Sequence, residues 1–174
     1  SEVSKNKKTQ QLWIEDSDII KEWNTETTML RDACISCLKK YISDNELTKE
    51  PHPLTAYKNL VFEPFRLKKY APNVGIHDWH IDSSMPSTIS RMIAFQIYFN
   101  NVHQGGETEF DSWSSDVDNL KIRPVAGRIA VFPTSWSFKH RGCTPISNAK
   151  YSANAYLRID PKIYLDGIKE YNII

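Results

Sequence analysis

The run Gly75-Ile76-His77-Asp78-Trp79-His80-Ile81-Asp82 opens on a turn residue and continues in β-type composition. On a strand, successive side chains alternate between faces, so His80 and Asp82 point the same way and Ile81 the other. The same alternation sets His77 opposite His80. Read as a helix, His77 and His80 would instead form an HxxH pair suited to zinc. The choice of strand over helix therefore fixes both the architecture and the chemistry of this segment.

Working outward, the strand reading agrees with its surroundings. Pro51, Pro53 and Pro64 break helices, and from Leu60 short β-type runs alternate with turn residues. The runs fall at 60–70, 75–82, 91–100, 106–110, 120–125, 128–133, 137–142 and 150–158. Eight short strands point to a sandwich or jelly roll, whose two sheets can hold a site between them. Gly105-Gly106 reads as a turn that needs backbone freedom. Residues 83–90 and 111–119 read as loops. Ahead of the strands, Thr25 to Ser43 is the clearest helix, with Asp44-Asn45 as its stop, and 16–24 forms a shorter one through Ile19, Ile20 and Trp23. Residues 1–10 read as a loose tail. The expected organisation is one domain over 1–174, with helical N-terminal support at 1–59 and a jelly-roll core at 60–160.

A net charge of +1, from 22 basic and 21 acidic residues, gives no pull toward nucleic acid or an anionic membrane. No apolar run approaches the roughly 20 residues of a membrane helix. Ser1 to Gln10 lacks the apolar centre of a secretory leader, and cytoplasmic residence is expected, in a bacterial or phage-infected cell. The three cysteines, Cys34, Cys37 and Cys143, are too few and too oddly spaced for a disulfide framework. Cys34 and Cys37 form a CxxC, but they lie in the stripe Met29, Leu30, Ala33, Cys34, Cys37, Leu38, Tyr41, Ile42. Without a βαβ context or a second ligand pair, that stripe reads as a core helix rather than a redox or zinc motif.

A lone His-x-Asp carries little weight in a chain with five histidines. His140, 58 residues after Asp82 and within a β-like run, supplies the third ligand of a two-histidine, one-carboxylate set, the facial arrangement that suits non-haem Fe(II) and leaves metal positions open. Lys150 follows ten residues later, where a dicarboxylate co-substrate would need a cation. His52, between prolines, and His103, beside Gln104-Gly105-Gly106, read as loop histidines.

Tyr70 to Ile159 resembles the core of the Fe(II)- and 2-oxoglutarate-dependent dioxygenases, in particular the prolyl 4-hydroxylase-like group. The resemblance is carried by Tyr70, His80-x-Asp82, Arg91, Tyr98-Phe99-Asn100 and Gly105-Gly106-Glu107-Thr108-Glu109-Phe110. It continues through Pro124-x-x-Gly127, Phe132, His140-x-Gly142, Pro145-Ile146 and Lys150-Tyr151, all in the family's order. One departure is Asn148, where the family often has glycine before the basic residue; asparagine also tolerates a left-handed backbone.

The resemblance implies a mainly β fold with N-terminal helices and a double-stranded β-helix core of jelly-roll or cupin type. It implies Fe(II) held by His80, Asp82 and His140, with 2-oxoglutarate and O2 as co-substrates and ascorbate as a candidate reductant. The activity implied is hydroxylation of an unactivated C–H bond, most readily of a peptidyl proline, with release of succinate and CO2. Lys150 would pair with the distal carboxylate of 2-oxoglutarate, as a compact charge where many relatives use a forked arginine. Tyr98 would add a hydroxyl donor there, Tyr70 would line the site, and Asn154 would border the pocket. Arg91, Arg141, Trp79 and Tyr156 are candidate substrate contacts, each with a plainer alternative. Arg91 also reads as a solvated charge at a strand start, Arg141 as pointing away from the metal, and Trp79, Trp136 and Tyr156 as packing. The 83–90 loop is a candidate lid.

Three alternatives stay open. The same chemistry could act on a free amino acid, a small metabolite or another side chain, because substrate choice lives in variable loops. The fold could be a jelly-roll binding protein with an incidental metal site, although such a module has no need of a cation ten residues past the third ligand. Nucleic-acid demethylation fits poorly with near-neutral charge. The expected partner is a proline-containing protein or peptide, with neither nucleic acid nor membrane.

Overall fold

The computed structural model describes residues 7–14, 21–49, 52–56 and 60–160. Eleven strands among these residues form two antiparallel sheets. The first has the order β1 (Lys7–Lys8), β5 (Ile76–His80), β10 (His140–Gly142), β7 (Thr108–Phe110), β8 (Leu120–Ile122). The second has the order β2 (Gln10–Trp13), β4 (Arg66–Tyr70), β11 (Lys150–Ile159), β6 (Arg91–Tyr98), β9 (Ile129–Pro133), and β3 (Leu60–Phe62) adds to β11. This is the jelly-roll, double-stranded β-helix architecture expected from the sequence.

Alternation along the second sheet builds two cores. Ile93, Phe95, Ile97, Ala153, Ala155 and Leu157 face outward from it and receive the helix α1 (Asn24–Asp44) through Cys34, Leu30, Leu38, Tyr41 and Ile42. Ala94, Tyr98, Ala130, Phe132 and Tyr156 face inward and meet Phe110 of the other sheet. Full burial of a side chain the size of Phe95 contributes about 1.5–3 kcal/mol, so each sheet face is committed to its partner. The CxxC resolves into the first core. Cys34 is fully buried, its thiol pushed up to about 12 by burial and by neighbouring Cys37, and Cys34, Cys37 and Cys143 are all free thiols. Met29, placed in the apolar stripe from sequence, is instead two-thirds exposed.

Several expectations are corrected. Within the expected tail, residues 7–10 are not loose: Lys7 and Lys8 pair with His77 and Ile76, and Gln10 opens a strand that runs to Trp13 and pairs with β4. Their polar side chains suit edge strands, where charge on the rim discourages further pairing. The N-terminal support is thus part strand as well as helix. The run at 60–70 splits at Glu63-Pro64-Phe65 into β3 and β4, since proline cannot donate to a ladder. The run at 137–142 is strand only from His140, with a 3-10 turn at Trp136–Phe138 before it. Of the helix expected over 16–24, residues 16–20 lie outside the described residues, while Trp23 packs on the α1 core. Gly105 and Gly106 both have positive φ, and a Cβ on Gly105 would run into the Thr144 carbonyl oxygen, so that turn does require glycine.

Candidate metal centre and co-substrate cavity

Pairing of β5 with β10 sets the site. His140 lies opposite His80, but Gly142 lies opposite His77, so two steps along β10 match three along β5. That extra residue is a β-bulge, which re-aims side chains. It overturns the alternation assumed for His77: instead of facing away, its ring stacks on His80 at 3.7 Å between centroids. A second correction concerns Asp82. The strand ends at His80, and Asp82 lies in the following turn rather than at i+2 of a strand. It reaches the same side because Arg91 Nη1 donates to the Asp82 carbonyl at 3.1 Å and Ser83 Oγ donates to the Thr134 carbonyl at 2.7 Å, fixing the turn.

His80, Asp82 and His140 converge, with their nearest ligating atoms all within 4.8 Å of one another. His80 Nε2 lies 3.7 Å from Asp82 Oδ1 and His140 Nε2 lies 3.6 Å from Asp82 Oδ2. Each imidazole is oriented by its other nitrogen: Nδ1 of His80 donates to the Asp78 carbonyl at 2.7 Å, and Nδ1 of His140 to the Phe138 carbonyl at 2.9 Å. A carbonyl can only accept, so each Nε2 carries a lone pair aimed at the centre, as metal ligands require. Burial, then the neighbouring His140, holds the His80 pKa down at about 4, against the pull of Asp82. Asp82 Oδ2 is buried without a hydrogen-bond partner. An oriented pair of imidazoles around an orphaned carboxylate oxygen is a donor set that fits a divalent ion such as Fe(II). Phe110 and Phe132 pack on the His140 ring, while His80 is the most exposed of the three, so the centre opens on its side.

Next to the triad lies a small polar cavity lined by Lys68, Tyr70, His77, His80, Gln96, Thr108, His140, Gly142, Lys150 and Asn154. Lys150 is 2% exposed; its Nζ donates to the Gly106 carbonyl at 2.9 Å and sits 4.3 Å from the Tyr70 ring centre. Burial pulls its pKa down to about 8, partly offset by Cys143 and Glu107. Asn154 Nδ2 donates to Gln96 Oε1 at 2.9 Å. Tyr98 is fully buried and its hydroxyl meets Thr108 Oγ1 at 2.7 Å, so it touches the cavity through Thr108. Gly142 leaves room there: a Cβ would stand 3.8 Å from both Lys150 Nζ and Tyr70 Cε1. The Lys150 ammonium, the amides of Gln96 and Asn154 and the gap at Gly142 make a cradle for an anionic ligand beside the triad.

The remaining candidates are not in the cavity. Arg91 is no solvated charge: Nε and Nη2 clasp both oxygens of Glu63 at 2.8 and 2.6 Å, and its guanidinium lies 3.9 Å over the Tyr156 ring. Tyr156, a candidate substrate contact or packing residue from sequence, has its hydroxyl 2.9 Å from Asp82 Oδ1. Both brace the carboxylate ligand. Arg141 points away from the triad as expected, to Glu109 Oε2 at 2.7 Å and over the Trp79 ring at 4.7 Å. Trp136 is exposed at the edge of Trp113. The sequence reading missed Lys68, Gln96 and Thr108. Lys68 was detectable in principle, two residues before Tyr70 on one strand and hence on its face.

A model of the 2OG-Fe(II) oxygenase superfamily matches residues 65–158. No curated protein sequence matches the chain. Among solved structures, it is similar to the viral collagen prolyl hydroxylase of Paramecium bursaria Chlorella virus-1 in its 2OG complex, at 17% identity and TM-score 0.59, covering 91% of this chain and 82% of that one. A Pseudomonas putida prolyl-4-hydroxylase gives 16% identity and TM-score 0.58, with 92% and 77% covered. A Trichoplax adhaerens prolyl hydroxylase, in complex with a hypoxia inducible factor peptide fragment, gives 17% identity and TM-score 0.66, with 94% and 69% covered. These likenesses establish a shared fold. The family match spans more than half the chain and contains the whole triad, so the chain belongs to the 2OG-Fe(II) oxygenase superfamily, enzymes that use Fe(II), 2-oxoglutarate and O2.

Proposed function

We propose that this dioxygenase hydroxylates an unactivated C–H bond of a peptidyl proline, consuming 2-oxoglutarate and O2 and releasing succinate and CO2. The observation that carries the oxygenase half is the oriented triad sharing a cavity with buried Lys150. The proline half is supported by the fold shared with prolyl hydroxylases, one of them in complex with a peptide.

His80, Asp82 and His140 would hold Fe(II). When bound, Fe(II) supplies O2 activation coupled to oxidative decarboxylation of 2-oxoglutarate. The chain's own residues do the rest. Lys150 takes the distal carboxylate, with Tyr70 beneath it and Tyr98 acting through Thr108. Asn154 and Gln96 present amide groups to the cavity wall. Tyr156 and Arg91 hold Asp82 in place rather than contacting substrate. Arg141 and Trp79, on the outer face, are available only to a substrate extended enough to wrap over that face.

The test is succinate formation under Fe(II), 2-oxoglutarate and O2 with a library of proline-containing peptides, reading the gain of one oxygen by mass spectrometry. Asp82→Ala should abolish both products with the fold retained. Succinate coupled to a free amino acid or metabolite, with no hydroxyproline anywhere in the library, would refute the proline reading and keep the oxygenase.

A further inference from the structure

The cavity contains a second cation that the family motif does not require. Lys68 on β4 is 5% exposed, and among the described residues its ammonium makes no hydrogen bond or ion pair. Buried lysines are rarely left unpaired, because an isolated charge inside a fold is costly. Its position is fixed by two ladders. Lys68 lies opposite Ser152, which lies opposite Tyr98 on the other side. Inward residues of β11 run Lys150, Ser152, Asn154, Tyr156; the first bonds the Gly106 carbonyl and the last bonds Asp82. Lys68 therefore stands between the cation of the distal end and the metal centre. Its surroundings are polar and unfinished: Ser152 Oγ and Asn154 Oδ1 are both buried without partners. An apolar floor would need no ligand, whereas this one presents donors and acceptors in want of one.

We propose that Lys68 is a second anion-binding residue of the co-substrate cavity, holding the carboxylate at the 2-oxo-acid end while Lys150 holds the distal one. This rests on the co-substrate reading given above for the same cavity. Two cations then meet the two carboxylates of one ligand, and the row spacing along β11 places them in the order the ligand would present. Burial, followed by Lys7 and Arg66, pushes the free ammonium's pKa well down, and an incoming carboxylate reverses that shift.

The test is equilibrium binding to the Fe(II)-loaded protein without O2, using two probes: 2-oxoglutarate and 2-oxobutyrate, which lacks the distal carboxylate. Lys68→Met should weaken both probes by about ten- to a hundredfold, the range of a lost charged hydrogen bond. Lys150→Met should weaken 2-oxoglutarate and leave 2-oxobutyrate as in the wild type. Since Lys68 has no partner to orphan among the described residues, Lys68→Met should fold; Lys68→Gln gives the same comparison with a neutral polar group. Wild-type affinity for 2-oxobutyrate in both Lys68 variants would overturn the proposal. Failure of the wild type to bind 2-oxoglutarate would overturn the co-substrate reading itself, a result recognisable before any variant is made.

Discussion

Replacing Tyr156 by phenylalanine removes one oxygen and tests how the carboxylate ligand is held. The Tyr156 hydroxyl donates to Asp82 Oδ1 at 2.9 Å, in a position 4% exposed. Asp82 Oδ2 has no hydrogen-bond partner, and the two histidine nitrogens at 3.6 and 3.7 Å are beyond hydrogen-bonding distance. Among the described residues, the variant therefore leaves the side-chain carboxylate with no hydrogen-bond donor. The ring stays, with its contact to the Arg91 guanidinium, so packing is nearly conserved. Hydrogen bonds to charged groups contribute about 1.5–3 kcal/mol, and that much should be lost from the metal-free protein in urea denaturation. For the metal, removal of such an outer partner costs about ten- to a hundredfold in affinity, a separate loss that measures what the hydrogen bond contributes in the metal-bound state beyond the metal-free one. The assay is anaerobic Fe(II) titration beside the denaturation curve. Tighter metal binding in Tyr156→Phe would refute the reasoning, because it would mean that the hydroxyl competes with the ion for the carboxylate rather than orienting it.

Two further outcomes follow from the cavity. Lys150 must be protonated to hold a carboxylate, and its pKa in the free protein is lowered to about 8, chiefly by burial. The part of the 2-oxoglutarate affinity that Lys150 carries should therefore be full below that value and fall as pH rises through it, by up to about tenfold per pH unit; Lys150→Arg should remove that part of the decline, and an unchanged profile around that value would unseat Lys150. Gly142→Ala places a methyl 3.5 Å from His77 Cβ and 3.8 Å from Lys150 Nζ and Tyr70 Cε1, ordinary contacts for the empty cavity. Thermal stability should barely change while 2-oxoglutarate affinity falls about tenfold through crowding; unimpaired binding would show that the ligand lies elsewhere.

The parts legible in the sequence are those that depend on residue type along one strand. The runs at 91–100 and 150–158 are rich in β-type residues, and they became β6 and β11, the strands that build both cores. The triad residues were legible as a pattern, but for a partly mistaken reason. His80 and Asp82 were placed together by strand alternation, whereas the strand ends at His80 and a turn braced by Arg91 brings Asp82 in. The stacking of His77 on His80 was not legible, since a bulge is a relation between two strands and leaves no mark in one. Lys7 to Trp13 lacked apolar alternation because both of its strands are edges. Lys68 was overlooked because Arg66-Leu67-Lys68-Lys69-Tyr70 has the look of a solvated strand, and lysine is so seldom buried that its side chain argues against the cavity it lines. Tyr156 was undervalued because its hydroxyl partner lies 74 positions away in sequence.

The first described segment of the chain has a structural consequence for the mouth of the site. Lys7–Lys8 belongs to one sheet and Gln10–Trp13 to the other, with Thr9 alone between them. A single stretch of seven residues thus stitches the free rims of both sheets together at one corner, alongside β5, which carries His80, and β4, which carries Lys68. The two sheets cannot spread at that corner without unzipping this seam. The spacing between a metal ligand on one layer and a cation on the other is therefore guarded by backbone pairing from a segment that contributes no ligand of its own.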